Sequence, residues 1–283
     1  MRELSKAFVT GYPIKHSRSP QIHRHWLKSH EIEGSYDPIE VAPDNFKNFI
    51  KNLKQSGFNG GNVTIPHKEM AHDLVDRRDD LANEIGAANT LWFEGDVLWG
   101  SNSDSYGFAK NLDDFVDDWA GDCALVIGAG GASRAIIHAL RERGFKKIML
   151  SNRTKSRAEN LMVHFNNDVD VIEWQDMNDH VQAADLIVNT TSLGLENHQQ
   201  DANVMPIDFK QARRDVIIND IVYTPLNTPF LKAAAQEGLK TVDGIGMLLH
   251  QAIPGFERWF GVKPSVTPEL RASILQSMGE KDR

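Results

Sequence analysis

The sequence predicts an α/β protein of two domains, the second built on a doubly wound parallel sheet. Three observations carry this. The 283 residues exceed the roughly 100–200 of a typical single domain. From Cys123 onward, short apolar runs alternate with helical stretches, which means parallel strands joined by crossovers. The first of those runs ends in a glycine-rich turn, Gly128-Ala129-Gly130-Gly131-Ala132-Ser133.

In chain order, Lys6–Gly11 reads as a short strand running into a loop. Pro20 then stands at a first helical position with Ser19 as its cap, ahead of Ile22, Trp26 and Leu27. Phe46, Phe49, Ile50 and Leu53 have helical spacing, and Gly57 stops that helix. Gly61–Ile65 is a strand broken by Pro66. Leu91–Phe93 and Val97–Trp99 flank Glu94-Gly95-Asp96 as a hairpin. The second half opens with the strand Cys123–Gly128, then a helix Ala132–Arg143 stopped by Gly144. The strand Lys147–Ser151 and a helix from Lys155 to Phe165 follow. Val169–Glu173, Leu186–Asn189 and Val216–Asp220 continue the strand series. Met247–Phe260 and Glu269–Met278 are helical and suited to pack back on the first domain. The expected division is 1–105 plus 246–283 for one domain and 106–245 for the other.

Composition excludes several classes. Thirty-one basic and 39 acidic side chains give a formal charge of −8, which exerts no general pull on nucleic acid or anionic lipid. One cysteine excludes an internal disulfide and any multi-cysteine metal site. No apolar run approaches the roughly 18 residues of a membrane span, and the start lacks a signal-peptide h-region. A cytoplasmic protein acting on a small molecule, as monomer or homodimer, is expected. The closing stretch Gly279–Arg283 reads as a frayed tail.

The glycine turn lets backbone N–H groups approach a pyrophosphate at a helix N-terminus, as in a Rossmann-type cofactor domain. The end of the next strand then decides which dinucleotide fits. An NAD site places Asp or Glu there for the ribose 2′-hydroxyl. This chain has Ser151-Asn152-Arg153-Thr154-Lys155-Ser156-Arg157, with no carboxylate to repel a 2′-phosphate. Arg153 and Arg157 can pair with that phosphate and Thr154 can donate its hydroxyl. NADP(H) is therefore the expected cofactor.

Five motifs in the rest of the chain place polar side chains beside tight turns. They are Gly11-Tyr-Pro-Ile-Lys-His-Ser17-Arg-Ser19-Pro20, Asn62-Val-Thr64-Ile-Pro66-His-Lys68, Gly86-Ala-Ala-Asn89-Thr90, Asn102-Ser103-Asp104 and Gly246-Met247-Leu-Leu-His-Gln251. Many neutral hydrogen-bonding groups and few cations suit a small polyhydroxylated substrate. Together with the 128–134 turn, Asn152-Arg153-Thr154, Asn189-Thr-Thr-Ser-Leu-Gly194 and Asp220-Ile-Val-Tyr223-Thr-Pro225, they make the chain resemble the shikimate dehydrogenase family from about residue 7 to residue 263.

The resemblance implies reversible, NADPH-dependent reduction of 3-dehydroshikimate to shikimate in aromatic amino-acid biosynthesis. It implies an N-terminal α/β substrate domain and a Rossmann-type cofactor domain with the active site between them. Ser17 and Ser19 would bind the substrate carboxylate. Asn62, Thr64, Asn89, Tyr223 and Gln251 would line the ring, and Lys68 and Asp104 would form the catalytic pair. Gly128, Ala129, Gly130, Gly131 and Ala132, then Asn152 to Arg157, would hold the cofactor phosphates. Thr190, Ile221, Gly244 and Met247 would lie near the rest of the cofactor, and Asp80 joins them on its spacing from Lys68. Ser103 departs from the family's usual threonine and keeps the hydroxyl.

Two other readings discriminate by assay. A quinate/shikimate dehydrogenase would use NAD and carry an acidic residue within 151–157. A non-catalytic ligand sensor on the same fold would bind NADPH without turnover. His16, His23, His25 and His30 read as surface histidines, not metal ligands, so no metal is expected. Cys123 reads as a small core residue, Trp26, Trp92, Trp99, Trp174 and Trp259 as core packing, and Asp113 to Asp118 as a solvated acidic face.

Overall fold

The computed structural model describes residues 4–193 and 207–280. Gly194, which closes the 189–194 motif, and residues 281–283 of the tail lie outside the described residues. The chain divides into two compact units, Met1–Gly107 with Leu248–Arg283, and Phe108–Met247.

The first unit holds β1 (Ser5–Gly11), α1 (Ser19–Ser29), β2 (Gly34–Glu40), α2 (Pro43–Asn52), β3 (Gly60–Val63), α3 (Lys68–Leu74), β4 (Arg77–Arg78), α4 (Asp80–Ile85), β5 (Thr90–Glu94) and β6 (Val97–Ser101). Helix α5 (Asp104–Phe115) leads out of it. The strands form one sheet in the order β2-β1-β3-β5-β6-β4. β2, β1 and β3 are parallel, while β5 runs antiparallel to both β3 and β6. Phe8 packs on one face with Phe46, Leu53 and Val63; Ala7 and Val9 pack on the other with Tyr36 and Trp259. Burial on both faces explains why β1 carries consecutive apolar residues, Ala7-Phe8-Val9, and not an alternating pattern.

The second unit holds β7 (Cys123–Ile127), α6 (Gly131–Glu142), β8 (Lys147–Ser151), α7 (Lys155–His164), β9 (Asp170–Ile172), β10 (Leu186–Asn189), β11 (Ile217–Asp220), α8 (Pro229–Gln236) and β12 (Lys240–Val242). Helix α9 (Ile245–His250) leads back to the first unit, which α10 (Ala252–Phe260) and α11 (Pro268–Ser277) complete. The second sheet is wholly parallel, in the order β12-β11-β10-β7-β8-β9. This is the doubly wound sheet the sequence predicts. The order reverses between β10 and β7, and ligands of such sheets bind outside the strand ends at that reversal. Ala124 and Val126 face a core with Ile136 and Leu140, while Leu125 and Ile127 face a second core with Phe230 and Leu231.

Several local expectations are corrected. Ser19 does not cap α1; Arg18 is the cap residue, and Ser19 is the first residue of the helix. The 247–260 helix is two helices that break at Gln251. Pro254 supplies the reason, since its ring clashes with the carbonyl four residues earlier, at His250. His23 is not a surface residue but is fully buried. Asp113 is not simply solvated: it accepts from Trp119 Nε1 at 2.8 Å and pairs with Lys110 and Arg143. No helix among the described residues is long and apolar enough to cross a membrane.

Candidate active site

The end of β3, the start of β5, the end of β6 and the starts of α3 and α5 bring residues of three motifs together. Lys68 is the first residue of α3 and Asp104 the first of α5. Lys68 Nζ donates to Asp104 Oδ2 at 2.5 Å, with the two side chains 12% and 5% exposed. His67 fixes the turn before Lys68. Its ring stacks on Phe46 at 4.2 Å, and its Nε2 lies 2.7 Å from the Val41 carbonyl oxygen. Burial holds the His67 pKa below its ordinary value, partly offset by that carbonyl.

Asn89 is the hub. Its Oδ1 accepts from Ser103 N at 2.8 Å, Ser103 Oγ at 3.1 Å and Thr90 Oγ1 at 2.8 Å. Its Nδ2 is then free to donate to Asp104 Oδ1 at 2.8 Å. Asn102 completes the turn: Oδ1 accepts from Asp104 N at 2.9 Å, and Nδ2 donates to the Ala87 carbonyl at 3.0 Å. The serine that departs from the usual threonine therefore holds Asn89 through both its backbone and its hydroxyl.

Asn62 extends the network. It donates to the Asn89 carbonyl at 3.1 Å and to Thr90 Oγ1 at 3.3 Å. Tyr36 donates its phenol to Asn62 Oδ1 at 2.6 Å and shares a hydrogen bond with the Ser19 side chain. Burial pushes the Tyr36 pKa well up, so the phenol stays a donor. Tyr36 was not legible from the sequence as a site residue. It stands in a strand without a motif, 26 residues from its partner. Ser17 Oγ accepts from Ser19 N at 3.4 Å. Thr64 is half-buried just beyond β3. Gln251 is nearly buried, with Nε2 donating to the Leu248 carbonyl at 3.0 Å. Asp80 is exposed at the start of α4 and takes no part in this network. Tyr223 belongs to the second unit, just past β11.

In the second unit the glycine turn follows β7. Gly128 has φ +111°, a left-handed conformation, and an added Cβ would lie 2.6 Å from Thr190 Oγ1. Thr190 Oγ1 donates to the carbonyls of Ile127 at 2.9 Å and Gly128 at 3.2 Å. Asn152 Oδ1 accepts from Ala129 N at 3.1 Å, tying the end of β8 to the turn. Gly130 precedes α6 with open space where a side chain would stand. No side chain caps α6 and its first turn has no acidic residue, so its leading N–H groups suit a phosphate. Arg153 and Arg157 are exposed and have no ion-pair partner among the described residues. Thr154 precedes α7 without a side-chain cap bond. Lys155 is instead paired with Glu173. Ser156 is exposed on the first turn of α7. An added Cβ on Gly244 would lie 2.4 Å from the Ile221 carbonyl oxygen, so these two segments touch backbone to backbone. Met247 is buried in the second-unit core.

A parallel sheet with a glycine turn suited to a phosphate, on one chain with a lysine–carboxylate pair among neutral polar groups, defines a dinucleotide-dependent oxidoreductase. Comparison with known proteins agrees. The family described as the shikimate dehydrogenase substrate binding domain matches residues 9–91. Shikimate / quinate 5-dehydrogenase matches 110–228, and the shikimate 5'-dehydrogenase C-terminal domain matches 244–268. A shikimate dehydrogenase (NADP(+)) of Bartonella tribocorum is 55% identical over 276 residues, covering 98% of this chain and 95% of the relative. A shikimate 5-dehydrogenase of Thermus thermophilus, solved with NADP(H) and shikimate, is 33% identical with a TM-score of 0.85, covering 97% and 100% of the two chains. A quinate dehydrogenase of Corynebacterium glutamicum, solved with NAD, is 28% identical with a TM-score of 0.87, covering 97% and 99%. The chain belongs to the shikimate dehydrogenase family.

Proposed function

We propose that this protein catalyses the reversible NADPH-dependent reduction of 3-dehydroshikimate to shikimate, a step of chorismate and aromatic amino-acid biosynthesis. The observation that carries the reading is the 2.5 Å contact of Lys68 Nζ with Asp104 Oδ2 inside a network of neutral amides and hydroxyls. NADPH supplies the hydride. The side chains manage the substrate oxygen on which negative charge builds. Lys68 stabilises that charge and donates a proton to an oxygen within about 2.6–3.2 Å. Asp104 orients the ammonium, and in the reverse direction the pair accepts the hydroxyl proton. Ser17 and Ser19 hold the substrate carboxylate; Asn62, Thr64, Asn89, Tyr223 and Gln251 hold the ring.

For the cofactor, Gly128 to Ala132 take the pyrophosphate. Arg153 and Arg157, with Thr154, take the 2′-phosphate, supported by the absence of an ion-pair partner for either arginine among the described residues and the lack of a carboxylate in 151–157. Asn152, Lys155 and Ser156 frame that end, and Thr190, Ile221, Gly244 and Met247 lie along the rest. Asp80 is assigned to the cofactor by resemblance alone. On this reading 1–105 plus 246–283 is the substrate domain and 106–245 the cofactor domain, in a cytoplasmic enzyme.

Nicotinamide absorbance with shikimate or quinate and NADP⁺ or NAD⁺, in all four pairings, tests the reading. Turnover confined to shikimate with NADP⁺ is expected. Comparable rates with quinate and NAD⁺ would replace it with the catabolic assignment. Lys68→Ala is expected to cut kcat by orders of magnitude with a much smaller change in KM for shikimate; near-normal turnover would remove Lys68 from the chemistry.

A further inference from the structure

Asp220 opens the 220–225 motif and has no role in the reading above. It ends β11, beside Asn189 in the parallel pairing with β10, and is fully buried. Its carboxyl receives donors from three segments. Oδ1 accepts from Asn189 Nδ2 and from Val222 N, each at 3.0 Å, and Oδ2 accepts from Thr228 Oγ1 at 2.6 Å. Each partner organises its own segment. Asn189 Oδ1 accepts from Thr191 N at 3.0 Å and Thr191 Oγ1 at 2.7 Å, which shapes the turn leaving β10. Thr228 Oγ1 accepts from Leu231 N at 3.2 Å and caps α8. Val222 N belongs to the turn that carries Ile221 and Tyr223.

All three donors are neutral, and no cation among the described residues offsets the carboxyl. Burial raises its pKa to about 7, with Thr228, Val222 and Asn189 pulling the other way. A buried carboxyl without a cation is a costly choice for filling a core. What it offers is geometry: two acceptor oxygens about 2 Å apart that can bind three segments at once. Two of those segments carry residues read above as cofactor contacts. Thr190 follows Asn189 directly and supports the glycine turn through Ile127 and Gly128. Ile221 follows Asp220 directly, and its N–H donates to the Asn189 carbonyl at 3.1 Å.

We propose that Asp220 is a positioning residue for the dinucleotide: its carboxyl locks the turns leaving β10 and β11 together, so that Thr190 backs the glycine turn and Ile221 meets Gly244. The proposal rests on the assignment of NADPH to these turns.

The test is fluorescence titration of the full-length protein with NADPH in the absence of substrate, comparing wild type, Asp220→Ala and Asp220→Asn. The alanine variant removes the acceptors, leaving Val222 N unpaired and Asn189 Nδ2 with the Leu193 carbonyl alone, so its Kd for NADPH rises about tenfold or more. The asparagine variant keeps an oxygen for those two donors and turns its amide N–H₂ towards Thr228 Oγ1, so it binds within about threefold of wild type. In steady-state kinetics the alanine variant loses more through KM for NADPH than through kcat. Unchanged binding in Asp220→Ala, or equal loss in the two variants, overturns the proposal. If Asp220→Ala does not fold, Asn189→Ala removes one of the three donors, and undiminished NADPH binding there overturns it as well. Failure of the wild type itself to bind NADPH would instead bring down the cofactor assignment, and the proposal with it.

Discussion

Replacing His23 with phenylalanine tests whether a buried, unpartnered imidazole governs acid stability. His23 is fully buried, and neither ring nitrogen has a hydrogen-bond partner among the described residues. Its ring lies parallel to Tyr36 at 3.8 Å, with Trp26, Phe256 and Trp259 at 5.7–5.8 Å. An aromatic ring suits this position and the polar nitrogens do not. Burial lowers the His23 pKa from 6.5 to about 3. Between those values the unfolded chain binds the proton and the folded one does not. Stability from the neutral ring is therefore complete above pH 6.5 and is lost as pH falls towards 3. At 1.36 kcal/mol per pH unit, the loss by pH 4.5 is about 3 kcal/mol. Phenylalanine has no such loss. It also removes a buried unpaired N–H, worth about 1 kcal/mol at any pH. Asp220 contributes an opposite slope, since its raised pKa makes the folded state hold the extra proton between 3.8 and about 7. That term is common to both proteins and cancels in their difference. Urea unfolding at pH 7.5 and at pH 4.5 is the assay. The advantage of His23→Phe is expected to grow by about 3 kcal/mol from the first pH to the second. A difference that stays constant within about 0.5 kcal/mol would refute the argument, because the imidazole would then be protonated alike in both states.

Tyr36→Phe removes the phenol that donates to Asn62 Oδ1 at 2.6 Å. It is expected to cost about 1–3 kcal/mol of stability, and steady-state kinetics should show a larger effect on KM for shikimate than on kcat. Gly128→Ala forces a side chain onto φ +111° and to within 2.6 Å of Thr190 Oγ1. A loss of about 1–3 kcal/mol is expected in urea unfolding, together with weaker NADPH binding by titration. Arg153→Ser removes an exposed cation without disturbing an ion pair among the described residues. The ratio of kcat/KM for NADPH to that for NADH should fall about tenfold or more, as expected for loss of a charge-assisted phosphate contact, while stability stays within about 0.5 kcal/mol.

The second unit was the more legible half because its signals are local. Cys123–Ile127, Lys147–Ser151 and Leu186–Asn189 are apolar runs closed by glycine or polar residues, and a fully buried parallel strand needs nothing else. The glycine turn announces itself through Gly128, a position that only glycine satisfies. What the sequence hid depends on distant partners. Tyr36 is a site residue only because β2, β1 and β3 bring it to Asn62. His23 sits two positions from His25 and reads the same, yet its helix turns it into the core while His25 stays half-exposed. Asp113 lies in an acidic run and is distinguished only by Trp119, Lys110 and Arg143 around it. The break at Gln251 was within reach, since Pro254 marks it. Lys68 and Asp104 were found through motif resemblance, and no periodicity or spacing pairs residues 36 apart.

The geometry of the first unit also explains why its polar groups are amides and hydroxyls more than charges. A carboxylate at position 89 would stand against Asp104 and repel it. Asparagine avoids this, but an amide can be seated either way round. Three donors converge on Asn89 Oδ1, two from Ser103 and one from Thr90, and they allow only one orientation. With Oδ1 fixed as the acceptor, Nδ2 must face Asp104, so Asp104 Oδ1 is occupied by a donor that cannot leave without breaking the hub. Its other oxygen alone faces Lys68. The two carboxylate oxygens are thus unequal by construction: one anchors, and one holds the ammonium. Asn102 adds to this by accepting the Asp104 N–H, which fixes the backbone at the start of α5. The chain spends its buried polar groups on aiming a single N–H⁺ group, and the charge on Lys68 remains the only cation in the network.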